Sequence, residues 1–285
     1  MACAAKLRRT RFAPSPTGPL HLGHAYAALV AHARADPGQF LLRIEDIDQS
    51  RCRPHFEAAI YADLAWLGLG WQRPVMRQSA RHDAYQTALN TLIAHGLCYP
   101  CGCSRSDIRA ALSAPQEGAS GPDGVLYPGT CRHRPIAEAT AQDAIRLNMA
   151  RALEYLGGVA ALSFTETGAS HAGAHPLDEQ WLLTTCGDLV LSRREMGTSY
   201  HLAVVVDDAE QGITEVTRGE DLFDATHIHR LLQALLRLPT PDYHHHKLIR
   251  DGNGKRLAKR DGARALATLR AEGATPADIR VMLGV

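Results

Sequence analysis

Short apolar runs bounded by charged or turn-forming residues alternate with longer stretches of helical character, the pattern of an α/β protein. Residues 8–13 (RRTRFA) read as a short strand ending at Pro14, and 39–45 (QFLLRIE) as a buried strand closing on acids. Between them lie a loop of turn residues, Ser15-Pro16-Thr17-Gly18-Pro19, and a segment suited to a helix, 22–34 (LGHAYAALVAHAR). Strand, loop, helix and strand in this order open a parallel sheet. Helices are expected near 54–67 and 78–96, and a loop-rich insert over the Gly-, Pro- and Ser-rich stretch 113–136. The run 200–208 (YHLAVVVDD) is apolar and closes in acids, so it predicts another parallel strand, with one more at 212–217 (GITEVT). A helix near 222–237, a basic glycine-rich loop at 247–262 and two short helices within 262–285, parted at Gly273–Pro276, complete the pattern.

Composition narrows the class. The 285 residues are 45% apolar and 21% charged, enough for one sizeable core. No window reaches the roughly 18 uninterrupted apolar residues of a membrane span. The start, MACAAKLRRTRF, places apolar residues before basic ones, the reverse of an export signal, so a cytoplasmic location with no membrane partner is expected. A net charge of +1 rules out a bulk basic field, so any RNA contact must come from a local patch. Seven cysteines are present, with Cys98, Cys101, Cys103 and Cys131 in one region. An odd number without an export signal favours a metal site over a disulfide framework.

The most informative segment is Pro14-Ser15-Pro16-Thr17-Gly18-Pro19-Leu20-His21-Leu22-Gly23-His24. Lying between a strand and a helix, it falls at the carboxyl edge of a parallel sheet, where ligands bind in open α/β folds. A helix N-terminus offers N–H groups and a positive dipole end to phosphate. Gly23 lets a nucleotide approach the backbone, and His21 and His24, three apart, share the first turn and can donate to phosphate oxygens as charge develops. A capped helix with packed histidines would explain each feature singly but not their coincidence.

The stretch Arg11 to His24 resembles the His-hydrophobic-Gly-His signature of class I aminoacyl-tRNA synthetases, and their glutamyl branch in particular. Residues 43–51 (RIEDIDQSR) resemble that branch's next block, with Ile47 where threonine is usual. Lys255-Arg256-Leu257-Ala258-Lys259-Arg260 is similar to the class's second phosphate loop, with Ala258 in place of serine, which removes one hydroxyl donor. The resemblance implies an α/β fold with a Rossmann-type parallel sheet, its halves at 1–97 and 186–245. A zinc-bearing and connective insert is expected at 98–185, and the second phosphate loop with short C-terminal helices at 246–285. It implies catalytic roles for His21, His24 and Lys259, and an ATP site of His21, Gly23, His24, Lys255 and Lys259, with Mg2+ accompanying ATP. Glutamate offers one ammonium and two carboxylates, so a selective pocket needs a fixed acid and guanidinium forks. Arg11, Glu45, Tyr200 and Arg218 fall where predicted strands begin or end, and the resemblance assigns the pocket to Arg11, Phe12, Ala13, Pro14, Ser15, Glu45, Tyr200 and Arg218. Without it, Arg11 and Glu45 would read as an ordinary ion pair.

The cysteine spacing supplies three thiolate candidates for tetrahedral zinc, Cys101, Cys103 and Cys131, and leaves the fourth ligand among Cys98, Tyr127, His133 and water. The glutamyl-type pattern Cys-x-Cys…Tyr-x3-Cys selects Tyr127, giving a structural site of Cys101, Cys103, Tyr127 and Cys131. The chain ends soon after the second phosphate loop, so no anticodon-binding domain is expected. That resembles the stand-alone paralogues of the glutamyl branch, which activate L-glutamate without tRNA and transfer it to the queuosine base in the anticodon of tRNA(Asp). The partners so implied are ATP, L-glutamate and queuosine-containing tRNA(Asp), acting on a monomer. A truncated enzyme charging a tRNA 3′ end and a small-molecule adenylyltransferase are the alternatives.

Overall fold

In the computed structural model, which describes residues 7–112, 120–121, 124–250 and 264–285, the opening unit forms as its pattern predicts. Strand β1 (Thr10–Phe12) leads through the loop to helix α1 (Leu22–Arg34) and strand β2 (Phe40–Ile44), with β1 and β2 parallel. Helix α2 (Pro54–Trp66), with proline in its first turn, returns the chain to β3 (Gln72–Arg77), parallel to β2. Helix α3 (His82–Ala94) follows a 3₁₀ turn at Gln78–Ala80, so the helix expected near 78–96 starts later.

The insert begins with β4 (Cys98–Cys101), α4 (Arg105–Leu112) and the short pair β5 (Ser120–Gly121) and β6 (Gly124–Val125). The chain continues through β7 (Ala144–Leu147), α5 (Met149–Leu156), β8 (Ser163–Glu166), β9 (Gly173–Pro176), α6 (Glu179–Trp181) and β10 (Val190–Ser192). Strands β10, β7 and β4 make an antiparallel sheet.

The apolar run expected to be a strand is instead helix α7 (Tyr200–Glu210). Ser199 caps it, its Oγ accepting the Leu202 N–H at 3.3 Å. The helix packs against α3 and the later helix α8 (Ala225–Leu235), and most of its length is buried, which is why its sequence shows no polar stripe. Burial of this kind overrides the strand preference of consecutive valines. The strand expected at 212–217 comes later, as β11 (Glu215–Gly219), and pairs in parallel with β12 (Asp242–His246). Strand β12 also pairs with β8, and β8 with β9. Helices α9 (Leu266–Ala271) and α10 (Pro276–Leu283) close the chain, and α10 packs on α1. Among the described residues no helix is long and apolar enough to cross a membrane.

The parallel sheet β3-β2-β1 and the parallel edge of the mixed sheet β11-β12-β8-β9 meet at β1 and β11. The Thr214 and Glu215 N–H groups both donate to the Arg9 carbonyl, at 3.0 and 3.2 Å. Reading across, the order is β3, β2, β1, β11, β12, so the chain moves outward from β1 to β2 on one side and from β11 to β12 on the other. The carboxyl ends of β1 and β11 therefore flank a topological switch point, the place in such sheets where ligands are bound.

Candidate active site

The loop after β1 is stitched to the end of β2. The Glu45 N–H donates to the Pro14 carbonyl at 3.0 Å, and the Arg53 N–H to the Pro16 carbonyl at 3.0 Å. This brings Ser15 and Glu45 to one cavity of about 550 Å³, which Thr17, Gln78 and Tyr200 also line, a size suited to a small ligand. Tyr200, predicted to open a strand, stands in the first turn of α7. The Phe12 side chain turns away and packs in the core around α1.

Beneath the cavity lies a network of buried charges. Arg11 grips Asp208 with two bonds, Nε to Oδ1 at 2.9 Å and Nη2 to Oδ2 at 3.2 Å, and donates a third to the Thr217 carbonyl at 3.2 Å. Arg43, wholly buried, donates to Asp208 at 2.7 Å and to Glu45 at 3.2 Å. Asp207 accepts from Gln78, Tyr85 and Arg81 at 2.9, 2.8 and 3.0 Å. Arg11 and Glu45 therefore do not pair directly; each is paired through another residue. Burial alone would raise the pKa of Asp208, but Arg11 and Arg43 outweigh it and hold the carboxyl at about 2. Glu45 goes the other way: burial raises its pKa in spite of Arg43 and Arg11. The Tyr200 hydroxyl is likewise raised by burial, opposed first by the charge of Arg218.

Arg218, on β11, is 6% exposed. Its Nε donates to His245 Nε2 at 3.0 Å, its Nη1 to His229 Nδ1 at 3.0 Å and its Nη2 to Thr226 Oγ1 at 2.7 Å. Among the described residues it forms no ion pair with a carboxylate, whereas Arg11 and Arg43 each do.

At the helix start, His21 is the N-cap residue of α1 rather than part of its first turn. The Gly23 N–H donates to His21 Nδ1 at 3.1 Å and the His21 N–H to His24 Nδ1 at 3.2 Å, with the rings 3.8 Å apart. The Gly23 N–H is thus engaged by the cap and not open to a phosphate. Because both Nδ1 atoms accept, each neutral ring carries its proton on Nε2.

The cysteine cluster forms where it was predicted. The Sγ atoms of Cys101, Cys103 and Cys131 lie within 4.8 Å of one another, Cys103 and Cys131 at 3.5 Å. The Tyr127 hydroxyl lies 3.4 Å from Cys101 Sγ and 3.7 Å from Cys103 Sγ, and the Cys131 N–H donates to it at 2.8 Å. Tetrahedral zinc with Zn–S bonds of about 2.3 Å sets its sulfurs ~3.8 Å apart, so this donor set fits one zinc ion. Cys98 belongs to a separate core cluster. Three residues from Cys101 on the same strand, it faces the opposite side of the sheet. His133 is exposed and outside the group of three thiols.

Lys255, Ala258 and Lys259 lie outside the described residues. Sequence reading missed Arg43, Glu166, His229 and His245 as parts of the site. Of these only Arg43 carried a signal, as a charge inside an apolar strand.

Residues 8–149 and 177–283 match the model of the catalytic domain of class I tRNA synthetases (E and Q). The chain is 59% identical to the glutamyl-Q tRNA(Asp) synthetase of Rhodobacter capsulatus over 97% of its own length and 99% of that protein. It is 42% identical to the protein of that name from Symbiobacterium thermophilum, over 93% and 82% of the two chains. Among solved structures, a glutamate tRNA ligase from Elizabethkingia meningosepticum in complex with its amino acid superposes with a TM-score of 0.73 at 27% identity. That match covers 95% of this chain and 59% of the ligase. Methionyl-tRNA synthetase of Mycobacterium tuberculosis bound by methionyl-adenylate shares the fold, with a TM-score of 0.60 at 12% identity.

Proposed function

The chain belongs to the glutamyl-Q tRNA(Asp) synthetases, ligases built on the class I (E and Q) tRNA synthetase catalytic domain, and from that premise we propose that it activates glutamate with ATP, without tRNA, and transfers it to the queuosine base in the anticodon of tRNA(Asp). The observation that carries the glutamate step is Arg218, a buried cation whose three acceptors are all uncharged; one of them, His229, has its ring 5.7 Å from that of Tyr200 at the cavity wall. A buried guanidinium without a carboxylate is costly unless a ligand supplies one. Glu45, with one oxygen on Arg43, offers the other to an ammonium. Ser15 and Tyr200 supply hydroxyls, and Arg11 is gripped by Asp208, which Arg43 ties to Glu45.

In this reading the α-carboxylate of glutamate attacks the α-phosphorus of ATP in line, and pyrophosphate leaves. The Nε2–H groups of His21 and His24 face the charge that grows on the phosphates. Magnesium accompanying ATP would supply positive charge to the phosphates. A hydroxyl of the queuosine cyclopentene ring then attacks the activated carbonyl, the bond from that carbonyl to the phosphate oxygen breaks, and the ester remains as AMP leaves and the hydroxyl proton is lost. No protein nucleophile takes part, so catalysis is positioning and electrostatics. Cys101, Cys103, Cys131 and Tyr127 would hold one zinc ion in a structural role, tying the end of β4 to the segment that carries Tyr127 and Cys131.

The test is incubation of the purified chain with labelled glutamate and ATP. Pyrophosphate exchange without tRNA is expected, followed by label on tRNA(Asp) that carries queuosine and none on tRNA(Asp) that lacks it. Label on a tRNA 3′ end, or exchange only when tRNA is added, would replace this function with charging of a tRNA.

A further inference from the structure

Arg218 is held in an unusual way for a buried arginine. Its acceptors belong to two imidazoles and a hydroxyl, and their protonation can be read from the donors around them. Because arginine only donates, His245 Nε2 and His229 Nδ1 must both be unprotonated. His245 then carries its proton on Nδ1, which donates to Glu166 Oε2. His229 carries its proton on Nε2, 3.0 Å from His201 Nδ1, which must accept it. Glu166 is fixed in turn, because its Oε1 accepts the N–H of Gly168 at 2.5 Å and that of His245 at 2.9 Å. His229, His245 and Glu166 are all buried.

We propose that His229 and the His245–Glu166 pair are positioning residues that present Arg218 to a substrate carboxylate, keeping it charged and oriented by uncharged acceptors with the nearest supporting carboxylate one imidazole away. Three of the five guanidinium N–H bonds are used by the cage, leaving one on each terminal nitrogen for the ligand. A carboxylate in direct contact would orient Arg218 equally well but would compete with the ligand for its charge. The arrangement therefore sets the preference for a negatively charged side chain over the isosteric amide of glutamine. Burial keeps both imidazoles neutral, with pKa values below the ordinary histidine value.

The inference rests on Arg218 belonging to the glutamate pocket, and one set of variants separates the two claims. Glu166→Gln changes one charge and almost no volume. Its amide oxygen must face the Gly168 and His245 N–H groups, so its NH₂ faces His245 Nδ1. That drives the imidazole proton to Nε2, against the Arg218 donor, and the cage opens on that side. In ATP–pyrophosphate exchange the KM for glutamate should rise on the order of tenfold while the KM for ATP stays put. His229→Asp, which places a carboxylate on Arg218, should raise the glutamate KM and narrow the preference for glutamate over glutamine. His229→Asn, which retains an acceptor near the Nδ1 position, should recover most of the loss. Arg218→Gln tests the underlying reading: a wild-type glutamate KM there removes Arg218 from the pocket and the function proposal loses its carrying observation. A raised KM in Arg218→Gln beside an unchanged one in Glu166→Gln overturns the positioning claim alone. Glu166→Gln decides the matter by itself if His229→Asp does not fold.

Discussion

Asp208 on α7 chelates Arg11 on β1, Nε to Oδ1 at 2.9 Å and Nη2 to Oδ2 at 3.2 Å, so an acid eight residues into a helix fixes a guanidinium at the switch point of the sheet. Asp208 also takes a bond from Arg43 at 2.7 Å, and one carboxylate thus orders two of the three buried arginines near the cavity.

Removing that carboxylate leaves two buried guanidiniums short of a partner. Asp208→Asn should cost about 3–5 kcal/mol in urea denaturation at neutral pH. The pH dependence has a definite sign. Asp208 in the folded chain is held at about 2, below its unfolded value near 3.9, so the native state binds its proton less readily. Its contribution is complete above about pH 5 and is lost as pH falls from ~4 through ~2, amounting to about 2 kcal/mol. Comparing wild type and Asp208→Asn across this range checks it: the stability difference should shrink toward low pH, and a constant difference contradicts the pairing.

The zinc reading predicts metal content by position. One zinc per chain is expected by elemental analysis. Cys101→Ser, Cys103→Ser and Cys131→Ser should each lose it, and Cys98→Ser, on the other face of β4, should retain it. Tyr127→Phe keeps three thiolates and should hold zinc more weakly, so a chelator titration separates it from wild type. Zinc loss in Cys98→Ser with full retention in Cys131→Ser would reverse the ligand assignment.

Much of this site was legible in the sequence because its parts are local. The loop from Pro14 to Gly18, the paired histidines and the cysteine spacing each occupy one short stretch whose chemistry depends on near neighbours. Residues 200–208 show where such reading fails. An apolar run closing in acids looks the same whether it is a buried strand or a helix buried on most of its surface, and packing between α3 and α8 decides between them. The partners of Arg218 were illegible for a related reason: Glu166, His229 and His245 come from three separate elements and meet only in the folded chain.

Glu45 should make glutamate binding pH-dependent. Burial raises its pKa, so it takes up a proton, and loses its hold on the substrate ammonium, at a higher pH than an exposed glutamate would. The glutamate KM of the wild type should therefore rise on mild acidification, while Glu45→Gln should show a KM raised on the order of tenfold and flat across the same range. Exchange kinetics at several pH values read both effects, and a pH-dependent KM that survives in Glu45→Gln would assign the titration elsewhere.

His24 serves the helix through Nδ1, the proposed function gives its Nε2 a role toward phosphate, and the two roles can be separated. His24→Asn keeps an acceptor near the Nδ1 position for the His21 N–H and removes the distal donor. The exchange kcat should fall about 10²- to 10³-fold with little change in melting temperature. A large loss of stability with wild-type turnover would show that the ring matters only to the cap.

Gly23→Ala sets stability against activity. Alanine favours a helix over glycine by about 0.8–1.0 kcal/mol, so helix α1 by itself should gain. The new Cβ, however, would sit 3.0 Å from His21 Cε1 and 3.2 Å from its Nδ1. That ring is tethered by the Gly23 N–H itself, so it cannot retreat without giving up the cap bond. The ring must shift by a few tenths of an ångström, and its Nε2 moves with it, away from where phosphate charge develops. The variant should lose no more than about 1 kcal/mol of unfolding free energy relative to wild type and yet lose roughly tenfold or more in exchange rate, since small misplacements of a positioned donor are costly. Wild-type exchange in a folded Gly23→Ala protein would mean that the His21 ring has no fixed place in the reaction.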